Sequence, residues 1–155
     1  MSEFRDEEGA LHKGFNAVSA VDAYAAHIHS ELVSLGKDPF EMLNQGVAGD
    51  RNDTHFRGVL AAANGNFRVI RDVAKANKHA FLTKGNPKKL ASNGSGDTVS
   101  VSIGWGQGGY GVGGYGGASQ LIVNCLDGSQ KKLLRELDAA LAYLDDVARE
   151  LGLPV

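Results

Sequence analysis

The spacing of hydrophobic residues changes period once along the chain, and the change divides it. Val18, Val21, Ala25, Ile28, Leu32 and Leu35 recur three and four apart. This predicts a helix from about Asn16 that Gly36 stops. Asp38 then reads as the cap of a short helix with Pro39 at its first position. A second long helix, capped by Asp50 or Asp53, presents Phe56, Val59, Leu60 and Ala63. Asn64-Gly65 breaks it. Asn66 can cap the next helix, from Phe67 to about Phe81, with Phe67, Ile70, Val73, Ala74 and Phe81 on one side.

Beyond a turn-rich stretch the period falls to two. Val99, Val101, Ile103 and Trp105 alternate with Ser100, Ser102 and Gly104, the pattern of a half-buried strand. QLIVNCL is a second β-rich run, Asp127-Gly128 a hairpin turn, and Gln130–Leu133 a short third strand. Leu134, Leu137, Leu141, Leu144, Val147 and Leu151 mark a last amphipathic helix, ended by Gly152 and Pro154. The order excludes βαβ alternation and so a doubly wound sheet. The expected fold is mainly α: a helical bundle over residues 15–155 with a β-hairpin of two or three strands inserted at about 97–133, before the last helix. An α+β sandwich floored by three strands is the alternative. Residues 1–14 are polar and expected to be loose.

Between the two longer strands lies GWGQGGYGVGGYGG, in which nine of fourteen residues are glycine. Gly106, Gly108 and Gly111 formally match G-x-G-x-x-G, but that fingerprint needs a helix to follow, and here a strand follows. Ordering each glycine costs roughly 0.5–1 kcal/mol more than ordering alanine. The run is therefore either a mobile hairpin tip or a loop whose Trp105, Tyr110 and Tyr115 dock on a partner, by analogy with aromatic-rich interfaces.

Net charge of −2 gives no global field for nucleic acid, so any such contact needs a local basic face. A single cysteine, Cys125, excludes an internal disulfide and suits a reducing compartment. The acidic N-terminus lacks an apolar signal core, and no stretch reaches membrane-span length. The expectation is a cytoplasmic protein off the membrane. Cys125 reads as packing within a strand. His27 and His29 face different sides of their helix, His29 bordering the apolar stripe, while His12 and His55 are isolated. No metal-ligand spacing and no cofactor motif is found, so neither is expected.

The densest chemistry is RVIRDVAKANKHAFL. On a helical wheel Asn77 falls among Val69, Ile70, Val73, Ala80 and Phe81 and is expected to point inward, as a hydrogen-bonding anchor. Arg68, Asp72, Lys75 and His79 form the opposite stripe, with Arg71 and Lys78 on its flank. That stripe is either a solvated, ion-paired face or a cationic groove in which arginine holds phosphate and His79 exchanges a proton.

The run RDVAKANKH at 71–79, followed by GGYG repeats and then QLIV-x-x-x-DGS, resembles a group of small bacterial proteins without an established activity. The similarity spans roughly residues 50–150. More distantly, four helices with Arg and His on one of them look like the HEPN (higher eukaryotes and prokaryotes nucleotide-binding) superfamily. Many of its members are metal-independent RNA endonucleases of toxin–antitoxin and phage-defence systems, often dimers. That resemblance implies Arg71 at the scissile phosphate and His79 in proton transfer, with Asp72, Lys75, Asn77 and Lys78 supporting. Seven residues separate Arg71 from His79, where the superfamily motif has four to six. The extra spacing turns His79 about 80° around the helix from Arg71. The competing reading is a non-catalytic module that oligomerises or binds a protein partner through the Gly/Tyr loop. A homo-oligomer, with a dimer favoured, is expected on either reading, with RNA the partner on the first.

Overall fold

The computed structural model describes residues 10–43, 50–79, 92, 94–101 and 119–154. In chain order they form α1 (Leu11–Ser34), α2 (Pro39–Met42), α3 (Asp53–Ala63), α4 (Gly65–His79), a 3-10 turn (Ser95–Asp97), β1 (Thr98–Val101), β2 (Gln120–Asn124), β3 (Gln130–Lys132) and α5 (Leu133–Glu150). This is a mainly helical bundle with a small antiparallel sheet before its last helix. Strand order is β1-β2-β3, with Val99 opposite Ile122 and Val123 opposite Lys131.

Each helix owes its limits to local chemistry. α1 buries Val18, Val21, Ala25, Ile28 and Leu32 and begins at Leu11, inside the stretch expected to be loose. Leu35, assigned to the same stripe, lies past the helix and is exposed. The stop is a Schellman motif: Gly36 takes φ +70°, its N–H donates to Val33 O, and Lys37 N–H donates to Leu32 O at 2.9 Å. α5 ends the same way, with Gly152 at φ +74° and Leu153 N–H donating to Ala148 O at 2.9 Å. Asp38 caps α2 by accepting from Phe40 N and Glu41 N, and Phe40 is driven fully into the core.

Two caps differ from the sequence expectation by a residue or two. Asn52, not Asp50 or Asp53, caps α3 by accepting from His55 N at 2.9 Å. Asn64, not Asn66, starts α4: its side chain accepts from Phe67 N at 2.9 Å while its own N–H donates to Leu60 O, closing α3. One residue thus ends one helix and begins the next, which sets α3 and α4 at a tight corner.

α1 packs on α3, α4 and α5, and α4 packs on α5. The shared core includes Leu32, Phe40, Phe56, Leu60, Phe67, Ile70, Leu137 and Leu144. β2 lies against α5 with Leu121, Ile122 and Val123 all buried. Three consecutive buried residues mean that both faces of this central strand are covered. The β2–β3 turn is built as Asp127-Gly128 suggests. Gly128 takes φ +83°, Cys125 N–H donates to Ser129 O at 2.8 Å, and Asp127 accepts from Ser129 N and Oγ. Cys125 falls just past β2, buried, and burial pushes its thiol up. No described helix is long and apolar enough to cross a membrane.

Candidate anion-binding cleft

The corner between α3 and α4 faces α1, and the three helices enclose a cleft of about 560 Å3. Its lining includes Asp22 from α1, Thr54 and Arg57 from α3, and Arg71, Lys75 and Lys78 from α4. Four cations thus share one concavity with Asp22, the only carboxylate among its described lining residues.

Asp22 is bracketed by two guanidinium groups. Arg57 Nη1 donates to Asp22 Oδ2 at 2.5 Å, and Arg57 Nη2 donates to Asp53 Oδ2 at 2.6 Å. Arg71 approaches from the other side: Nη2 donates to the Thr54 carbonyl at 2.7 Å, and Nη1 lies 3.6 Å from Asp22 Oδ1. That separation is an ion pair but not a hydrogen bond. Both Arg71 Nη1 and Asp22 Oδ1 are buried atoms without a hydrogen-bond partner among the described residues. Burial holds Arg71 below the usual guanidinium range, and Asp22 opposes that shift. Lys75 is likewise pushed down, first by burial and then by Arg71. Its remaining charge is stabilised by Asp72 and Asp22.

A second concavity of about 420 Å3, lined by Gly58, Ala61, Arg68, Arg71, Asp72 and Lys75, opens on the other side of Arg71. Arg68 Nε there donates to the Ala61 carbonyl at 3.2 Å. Arg71 and Lys75 therefore line both spaces.

The residues singled out in sequence fare differently. Arg71 and Asp72, expected on a flank and on an outer stripe, are each only 4% exposed, because α1 and α3 cover that side of α4. Asn77, expected inward, is exposed at the rim of the cleft beside Lys78. The wheel assigned it to the apolar side, but Ala76 takes the buried position instead. His79 is the last residue of α4, one turn beyond Lys75, and its side chain lies outside the described residues, as do Trp105, Tyr110 and Tyr115.

Asp22 and Arg57 were missed. The Asp53–Arg57 pair has the i, i+4 spacing of a helical ion pair and was legible. Asp22 is 35 residues from Arg57, and no local pattern connects them. His29 borders the apolar stripe as expected, with its ring 5.5 Å from Phe56 and 6.2 Å from Phe40. His55 is not isolated: its ring sits 5.6 Å from Phe40, edge-on.

Comparisons with protein-family models, with curated proteins and with solved structures return no match.

Proposed function

We propose that the protein is a HEPN-like, metal-independent RNA endonuclease of the toxin–antitoxin or phage-defence kind, with the α1–α3–α4 cleft as its phosphate site. One observation carries the reading: Arg57, Arg71, Lys75 and Lys78 line a single concavity against one lining carboxylate. Clustered guanidinium and ammonium groups in a half-buried cleft favour a phosphate anion, since partial desolvation strengthens each charge-assisted hydrogen bond. In this scheme the ribose 2′-oxygen attacks the adjacent phosphorus and the P–O5′ bond breaks. A 2′,3′-cyclic phosphate and a 5′-hydroxyl result. His79 takes the 2′-hydroxyl proton. The Lys75 ammonium, made more acidic by burial, donates to the departing 5′-oxygen. Arg71 faces the charge that builds on the phosphate oxygens, and Asp72, Asn77 and Lys78 support the site.

The test is cleavage of a short RNA in the presence of chelator, with the termini identified. Wild type yields the cyclic phosphate. His79→Ala slows the reaction on the order of 10²- to 10⁴-fold, the usual contribution of a general base. RNA left intact by the wild type, together with no growth arrest on expression, removes the reading.

A second reading is favoured by Arg71 itself, whose guanidinium is committed within the fold to Asp22 and the Thr54 carbonyl. On that reading α4 is structural and the protein is a non-catalytic module. It associates with itself or a protein partner through the segment between Val101 and Gln120, which joins two paired strands. Deleting 106–116 then changes the mass measured by light scattering and leaves the melting temperature nearly unchanged. A monomer before and after deletion ends it.

A further inference from the structure

Asp22 occupies the position in the cleft where an anion would be best held. Its carboxylate lies between Arg57 Nη1 at 2.5 Å and Arg71 Nη1 at 3.6 Å. The two contacts are unequal. Oδ2 accepts from Arg57, whereas Oδ1 and the Arg71 Nη1 facing it are buried without a hydrogen bond among the described residues. Arg71 is more than nine-tenths buried and lines the cleft, so this donor belongs to a desolvated side chain and not to one on the open surface. Lys75 and Lys78 stand on the same cleft and are not in an ion pair with Asp22.

We infer that Asp22 is a built-in competitor for a phosphate group: an internal carboxylate that holds the two arginines until a phosphoryl oxyanion displaces it. The physical reason is an unmade hydrogen bond. Asp53 shares Arg57 and Asp72 draws on Lys75, but Asp22 leaves Arg71 Nη1 without a hydrogen bond among the described residues. Inorganic phosphate as the dianion offers more charge than a carboxylate or a backbone phosphodiester, and more oxygens in tetrahedral array, which suits the two arginines and two lysines that line the cleft. The carboxylate must then swing away or share its arginines, and that cost sets the affinity. Asp22 thus governs binding at the cleft without being a catalytic residue. The inference rests on the phosphate-site reading above but not on cleavage.

The experiment compares wild type with Asp22→Asn, which keeps the shape and removes the charge. Melting temperature is followed in inorganic phosphate, with chloride at matched ionic strength as the control. A ligand that binds only the folded state raises the melting temperature according to its concentration over Kd. Asp22→Asn is expected to melt lower than wild type in chloride and to be raised selectively by phosphate. Its phosphate Kd, from calorimetry, should be at least about tenfold tighter than that of wild type, in line with removal of a like charge in contact with the ligand. Equal phosphate responses in the two proteins, or a response reproduced by chloride, overturns the inference. If Asp22→Asn does not fold in either salt, the exposed substitution Lys78→Gln decides. It must reduce the phosphate-dependent rise of the wild type by about threefold or more in Kd, and a wild type indifferent to phosphate sinks the proposal. RNA oligonucleotides with and without a 5′-phosphate, tested against Asp22→Asn, separate a terminal phosphate from a backbone phosphodiester as the source. Phosphate binding without RNA cleavage removes the nuclease reading and leaves this one standing. Cleavage with identical phosphate responses does the reverse.

Discussion

α4 and α5 are alike in sequence style and unlike in situation. Both carry an apolar stripe and a charged remainder. On α5 the remainder stays largely at the surface, and its Asp146–Arg149 pair is about two-thirds exposed. Such pairs contribute about 0–1 kcal/mol, since water screens them and ordering two long side chains opposes them. On α4 part of the charged side is covered by α1 and α3: Arg71 with its partner Asp22 keeps only 5% and 13% of its side-chain surface, whereas Lys78 stays exposed. The same residue types are therefore decoration on one helix and structure on the other. The exception on α5 is Glu136, which is buried and takes Lys131 at 3.3 Å where β3 runs into the helix.

The sharpest way to break this contrast is Arg71→Ala. Removing one member of a buried pair costs about 3–5 kcal/mol. The lower end is expected here, since Arg57 remains on Asp22. Urea denaturation measures it, and a loss below about 1 kcal/mol would make the α4 pair no different from the α5 pair. Next in size is Asn64→Ala, which removes the side-chain cap of α4 at the corner that presents Arg71. About 1 kcal/mol is expected, and loss of phosphate response without loss of stability would show that the corner angle, not the cap energy, matters.

A smaller effect carries a definite sign. The Lys75 ammonium is pushed below its ordinary 10.5 by burial and then by Arg71. The folded state therefore binds fewer protons than the unfolded chain between the lowered value and 10.5. Stability attributable to Lys75 rises with pH across that window, because the cost of its buried charge is relieved there. Lys75→Met should be more stable than wild type at neutral pH, and the difference should shrink as the pH approaches the ordinary lysine range. Chemical denaturation at several pH values reads this, and a variant less stable at neutral pH contradicts it. Smallest is Arg149→Ala on α5, expected within about 0.5 kcal/mol of wild type.

Much of the fold was legible because its signals are local. The stripe of α1, the glycine stops at Gly36 and Gly152, the Asp38-Pro39 start of α2 and the Asp127-Gly128 turn all appear where periodicity and turn chemistry place them. The errors are also local in kind. Asn52 and Asn64 were passed over as caps in favour of nearby residues of similar chemistry, since several side chains in each stretch can accept from a free N–H. The wheel placed Asn77 inward because it treats a helix as having one buried face. α4 has neighbours on several sides, so Arg71 and Asp72 are buried while Asn77 is exposed.

By itself, the sequence determined the order of helices and strands and the stops at Gly36 and Gly152, because hydrogen bonding within a turn of helix or a hairpin depends on residues a few positions apart. It also marked α4 as the place where charge collects. Only the tertiary structure decided which of those charges meet. Asp22, Arg57 and Arg71 lie on three different helices, and their convergence follows from how α1 crosses the α3–α4 corner. An ion pair between remote residues leaves no periodic trace, since its energy depends on distance and burial in space, and neither is written in the spacing along the chain.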